Sequence, residues 1–382
     1  MTSQLGIIYT VGNRISAFLR THIEFIALSA AALVGYAIIF VKQNVVESTS
    51  ADSISLTAAA KNSFDKFTPY SPNETFYVAV LNIFSTPIVQ GLLVFSVVLI
   101  VVLLLRQKYL PASSYASKTV LLVECVALIT ASIYFSHTSK EFSQFFVVTL
   151  VVLIASNFKY GDFLILYTIF YYQANFRAYY IITLAVYFFL RVLNWKKMTA
   201  FRLICSVFCS TVCVALVSMV PNHQELTTIR NFTNASFKFD FNSDGHSLIM
   251  NLFEVPQNLF EVFFNLLSAQ FRLIVPTPML EILSLYHILT FFGVLLLGAL
   301  FCLLIFRTTL LDNKAKEFAT AQKLVCFILA FFVTQSVFEP DYGSFLRHLT
   351  PFFILWLHLA WIENIAEHPK HAKLVQLGED VR

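Results

Sequence analysis

Apolar residues fall along this chain in long runs separated by short polar turns, and ten such runs stand out. They are Phe25–Val41, Ile88–Leu105, Val120–Phe135, Phe142–Phe158, Phe163–Tyr172, Ala178–Leu190, Leu203–Val220, Ile282–Phe306, Leu324–Phe338 and Leu349–Ile362. A helix crossing a bilayer upright needs about 20 apolar residues. The pattern therefore predicts an all-α, polytopic transmembrane helix bundle of about ten spans, with residues 1–382 forming a single integral membrane domain. The fifth and sixth runs are short for this; they either extend into their flanks or form a re-entrant pair around Gln173–Arg177. No internal repeat, low-complexity tract or interdomain linker is visible, which gives no support to an inverted-repeat transporter.

Two connections are long. Residues 42–87 are polar and rich in Ser, Thr and Asn. Residues 221–281 begin in the same way and then change character: Leu252, Val255, Leu259, Phe263 and Leu266 recur at helical spacing, with Glu254, Gln257, Asn258, Glu261 and Asn265 between them. That alternation predicts short amphipathic helices lying in the membrane interface, the alternative being a broken eleventh span.

Composition agrees with the membrane assignment. Of 382 residues, 58% are hydrophobic and 13% charged, and the mean hydropathy is +0.72; soluble domains carry roughly a quarter charged residues. The 41 Phe and 16 Tyr suit lipid-facing and interfacial surfaces. If the N-terminus is cytoplasmic and each run crosses once, 17 of the 26 Lys and Arg lie on the cytoplasmic side and 9 on the outer side. The positive-inside rule then places both termini in the cytoplasm and both long connections outside. The first 23 residues lack the form of a cleavable signal peptide, so the first run is expected to be retained as an anchor. A net charge of +4, scattered through short turns, excludes a nucleic-acid footprint.

Six cysteines lie within apolar runs. Cys205, Cys209 and Cys213 share one helical face with no His or carboxylate beside them, which points to apolar packing residues rather than to a metal site or a disulfide framework. Asp240, Asn242, Asp244 and Gly245 imitate the start of a calcium-binding loop. The twelfth position is Asn251 where a bidentate Glu is required, so an ordinary turn is the better reading. Asn73, Asn231 and Asn234 begin N-x-Ser/Thr sequons that matter only in a secretory-pathway protein. Glu124 and His287, in or near spans, read as polar contacts between helices.

Chemistry is expected in the outer turns. Arg177 lies in YYQANFRAYY between two aromatic runs, and Arg347 in FEPDYGSFLRHLTPFF between the last two. Both are tied close to the membrane surface, where a guanidinium can present a planar fork to phosphate or carboxylate oxygens. The plainer alternative is an interfacial Arg reaching lipid headgroups, and for Arg230 and Arg272 in the second long connection that alternative weighs equally. Between Glu339 and His348 the chain offers two carboxylates, Glu339 and Asp341, together with Tyr342, Ser344, Arg347 and His348. His348, Glu339 and Asp341 are base candidates; Pro340 and Gly343 also mark a plain helix-ending turn.

FRAYY around Arg177, the long outer connection and DYGSFLRHLTPFF around Arg347 together resemble bacterial Wzy-type polysaccharide polymerases of O-antigen, capsule and exopolysaccharide assembly. The resemblance implies a glycosyltransferase on the outer face of the bacterial cytoplasmic (inner) membrane that joins glycan repeat units carried on undecaprenyl diphosphate. It implies membrane lipid around the substrate, a flippase and a chain-length regulator as partners, and outer-face arginines rather than a metal or other cofactor. In that reading Arg177 and Arg347 meet the diphosphate; His348, Glu339 and Asp341 supply the base. Arg230, Arg272, Tyr342, Tyr179 and Tyr180 contact substrate. Guanidinium groups can stabilise the charge left on a departing diphosphate in a dry site. Rival expectations are an O-antigen ligase-like transferase and a lipid-linked oligosaccharide flippase. A metal-using lipid-sugar transferase would carry an acidic pair in the first outer connection, where this chain has only the widely spaced Asp52, Asp65 and Glu74; the Glu339–Asp341 pair has the right spacing in a different connection.

Overall fold

A computed structural model of the chain describes residues 22–41, 87–110, 116–135, 141–219, 249, 251–253, 256–277, 279, 285–311, 316–339 and 341–367. The connection 42–86, Arg230, the three sequons, the Asp240–Gly245 turn, Asp52, Asp65, Glu74 and the His287 side chain lie outside them. The described residues are all-helical, without a strand. In chain order the helices are α1 (His22–Val41), α2 (Pro87–Tyr109), α3 (Lys118–Tyr134), α4 (Glu141–Asn157), α5 (Asp162–Asn175), α6 (Tyr180–Asn194), α7 (Ala200–Ser218), α8 (Leu259–Ile274), α9 (Leu285–Thr308), α10 (Lys316–Phe338), α11 (Tyr342–Leu349) and α12 (Phe353–Glu367). A 3₁₀ turn, Thr350–Phe352, joins the last two.

Each of the ten apolar runs forms a helix. Six stretches are long and apolar enough to cross a membrane: His22–Val41, Ile88–Tyr109, Ala200–Ser218, Phe291–Thr308, Glu317–Phe338 and Tyr342–Ile365. The helices α4 and α6 are apolar but shorter, and α5, at 14 residues, rises only about 21 Å. Polar caps set several boundaries. Ser117 and Thr199 accept the N–H groups of Val120 and Arg202 at the starts of α3 and α7. At α8, Asn258 accepts the Glu261 N–H at 3.0 Å while the Glu261 carboxylate accepts the Gln257 N–H at 2.6 Å, a reciprocal cap that satisfies two orphan donors.

The chain forms two compact units. Met1–Ser143 with Trp356–Arg382 makes the first. Within it Arg106 bridges two carboxylates, donating to Glu24 at 2.7 Å and Glu124 at 2.8 Å, and the Trp361 indole N–H donates to Glu124 at 2.9 Å. Glu124, fully buried, is thus the interhelical contact its sequence position suggested.

Gln144–Leu355 makes the second unit. Its centre is α10, almost wholly enclosed and packed most extensively on α6. The Thr183 and Thr334 hydroxyls bond across that contact at 2.9 Å. Helix α8 is amphipathic and packs its buried face against α7, α9 and α10. Its buried face carries Asn265 and Gln270; Gln270 donates to Thr211 at 2.8 Å and Asn265 pairs with both backbone groups of Phe253. Cys205, Cys209 and Cys213 do share a face of α7, but that face is exposed, so they line the outside of the bundle rather than its core.

Candidate functional site

Two turns of the second unit build the site. The α5–α6 turn is fixed by its backbone, with the Arg177 N–H bonding Tyr172 O at 3.2 Å and the Tyr180 N–H bonding Arg177 O at 3.0 Å. The α10–α11 turn begins where the Glu339 N–H closes the last bond of α10 on Gln335 O at 2.9 Å. Asp341 then caps α11, its carboxylate accepting the Ser344 N–H at 2.9 Å. An eight-residue helix starting there carries Arg347 and His348 in its last turn.

These turns meet. Arg177, buried although 171 residues from His348 in sequence, lies with Nη1 at 3.3 Å from His348 Nε2. The same Nη1 donates to the Tyr179 hydroxyl at 2.8 Å, and the guanidinium lies 5.6 Å from the Tyr179 ring centroid. His348 Nδ1 pairs closely with Glu339 Oε1. A carboxylate oxygen only accepts, so Nδ1–H is the donor, and Nε2 is left to accept from Arg177. Both ring nitrogens are therefore engaged.

The remaining candidates distribute as follows. Arg347, half-buried, reaches the Ser344 hydroxyl at 3.4 Å. The charges of Glu339 and Arg347 both act on Asp341, whose carboxyl is pushed above the ordinary carboxylate range by burial against the opposing Ser344 N–H bond. Arg272, half-buried on α8, is near enough for its charge to act on the Tyr342 hydroxyl. Tyr179 packs on Phe338 with ring centroids 5.0 Å apart. Tyr180 turns away into the core, accepting from the Gln144 amide and meeting Tyr172 edge-on at 4.8 Å.

Sequence reasoning passed over two features. Gln335, fully buried one turn before Glu339, has no protein partner for either amide atom; its signal was a Gln four residues before a carboxylate inside an apolar run. At the other ends of α5 and α6, Arg191 grips Asp162 bidentately at 2.6 and 2.9 Å. The Tyr187 hydroxyl adds a bond to Asp162 at 2.7 Å, and Lys323 caps the C-terminal end of α4 through Phe158 O at 2.7 Å. This second network braces the helices that position Arg177.

A cavity of about 800 Å³ lies between α7, α8, α9 and α10, with Leu203, Phe208, Phe271, Phe301, Ile305 and Phe332 in its apolar wall. Among the described residues no three His, Cys, Asp or Glu side chains converge as metal ligands would. No protein-family model, curated protein or solved structure matches the chain.

Proposed function

We propose that this protein is a glycosyltransferase of the Wzy-type polymerase kind, joining glycan repeat units carried on undecaprenyl diphosphate at the outer face of the bacterial cytoplasmic membrane. The observation that carries the reading is the convergence of Arg177 with the Glu339–His348 segment, two turns remote in sequence that share one cluster of guanidinium, imidazole and carboxylate. In this reading α1–α7, α9, α10 and α12 are the ten spans, and α8 is an inserted helix between α7 and α9. Turns bearing Lys159, Lys196 and Lys197 then face the cytoplasm, and the Arg177 cluster faces outward.

The reaction asks for two things. Breaking a sugar–diphosphate bond leaves negative charge on the departing diphosphate, which preorganised guanidinium groups stabilise where water is scarce. Arg177 and Arg347 supply them, with Arg272 and Tyr179 as further contacts. An attacking sugar hydroxyl needs a proton acceptor opposite the leaving group, as in inverting glycoside chemistry. The apolar cavity beside α8 suits the polyprenyl chain, since α8 lines it with Phe271 and also bears Arg272.

Replacing Arg177 or Arg347 by Ala in the native host, and resolving surface glycan by size, tests this. Loss of the ladder of chain lengths is expected, with partial retention for Lys, which keeps charge but loses the fork. An unaltered ladder in a normally inserted Ala variant would overturn the proposal; a single added unit with no ladder would point to a ligase-like transfer instead.

A further inference from the structure

Three buried side chains around the α10–α11 turn carry polar atoms that no protein atom satisfies: Gln335 at both amide atoms, Glu339 at Oε2 and Tyr342 at its hydroxyl. Gln335 and Tyr342 are fully buried and Glu339 is 2% exposed. Native proteins rarely leave such groups unpaired, and several together mark a place where a ligand's polar atoms belong. Gln335 and Glu339 are one helical turn apart and lie on the same stripe of α10. The stripe continues through Phe331, whose ring stacks on Phe352 at 3.7 Å.

Donor and acceptor character sorts the ligands that fit. The amide offers N–H and C=O side by side, the carboxylate oxygen accepts, and the phenol does both. A phosphate, which only accepts, would be repelled by Glu339 Oε2 and Gln335 Oε1. A sugar's hydroxyls, which donate and accept, match the whole set.

We propose that Gln335, Glu339 Oε2 and the Tyr342 hydroxyl form the acceptor-sugar subsite, with Glu339 as the base and Gln335 holding the acceptor hydroxyls. The assignment rests on the polymerase reading and narrows its three base candidates to one. His348 is engaged at both nitrogens, and Asp341 spends one oxygen on the α11 cap. Of the three base candidates, Glu339 is the one that combines a tethered oxygen, Oε1 on His348, with a buried oxygen that has no protein partner. His348 is then a positioning residue that turns Oε2 toward the subsite. In the transfer, the acceptor O–H gives its proton to Glu339 Oε2 and its oxygen bonds the anomeric carbon. The carbon–oxygen bond to diphosphate breaks, its electron pair leaving on the diphosphate against Arg177 and Arg347. Glu339 afterwards returns the proton to water.

The test uses full-length purified protein, lipid-linked single repeat units from the host titrated as acceptor, and farnesyl diphosphate as a sugar-free probe of the anion site. Q335L and Y342F are expected to raise the half-saturating acceptor concentration roughly tenfold, the loss of one or two hydrogen bonds. E339Q is expected to lower kcat by about a hundredfold or more. Q335L should bind farnesyl diphosphate as the parent protein does. Q335L should also melt no lower than the parent, because it removes an unpartnered polar group from the interior. Unchanged acceptor dependence in Q335L, a clearly lowered melting point for it, or parental kcat in E339Q overturns the subsite. If the parent protein itself neither polymerises nor binds farnesyl diphosphate, the polymerase reading fails, and the subsite with it.

Discussion

Asp341 combines a helix cap with a buried charge in a single side chain. Its carboxylate caps α11, and with Asn in its place the cap survives without the charge. Burial raises its carboxyl above the usual range in the folded protein, so the native state holds that proton more tightly than the unfolded chain does. The stability this contributes is present at acid pH and is lost as pH rises through the raised native value. D341N should therefore match the parent in melting point near pH 4 and exceed it increasingly toward pH 7. Thermal scans of both proteins across that range check this, and a gap that closes with rising pH contradicts it.

At the scale of elements, two contacts decide how the site is held. A Cβ added at Gly298 of α9 would lie 2.8 Å from Ile274 O of α8, whereas one at Gly293 would meet nothing within 4 Å. Small residues permit such backbone approaches between membrane helices. G298A should lower the melting point by forcing α8 off α9; G293A should leave it unchanged or raise it, Ala being the better helix former by up to about 1 kcal/mol. Equal effects would show that α8 is not seated against α9. The brace between α5 and α6 makes a second case. Asp162 and Arg191 are both largely buried, with side-chain exposures of 14% and 8%. Removing one charge strands the other, at a cost of about 3–5 kcal/mol. D162N should thus destabilise the protein strongly and, by loosening α5 and α6, misplace Arg177. A D162N protein that melts like the parent would remove the brace from the argument.

For the whole molecule the testable property is which turns share a side of the membrane. The proposed ten-span arrangement puts the α5–α6 turn outside and the α6–α7 turn inside. In a background freed of reactive native cysteines, A174C should react with a membrane-impermeant thiol reagent on intact cells, and K196C only after permeabilisation. Both positions are exposed. Labelling of both from the same side would make α6 a re-entrant segment and remove the ten-span arrangement.

Much of the fold was legible from order along the chain alone. Every apolar run became a helix, because a continuous apolar stretch has no other way to satisfy its backbone in lipid. The reciprocal cap starting α8 was written in Asn258 and Glu261, local chemistry that needs no partner elsewhere. Arg177 and the Glu339–His348 segment could each be singled out as polar turns between aromatic runs. That they touch could not, since a contact across 171 positions depends on how α6 packs on α10. The same limit hid how α8 packs: the partners of Asn265 and Gln270, Phe253 and Thr211, are brought to them only by the tertiary fold. Gln335 was overlooked for the complementary reason, because an amide inside an apolar run gains meaning only when the folded protein encloses it and provides no partner. Periodicity and local hydrogen bonding act over a few residues and so are fixed by sequence; pairing between distant turns is decided by packing.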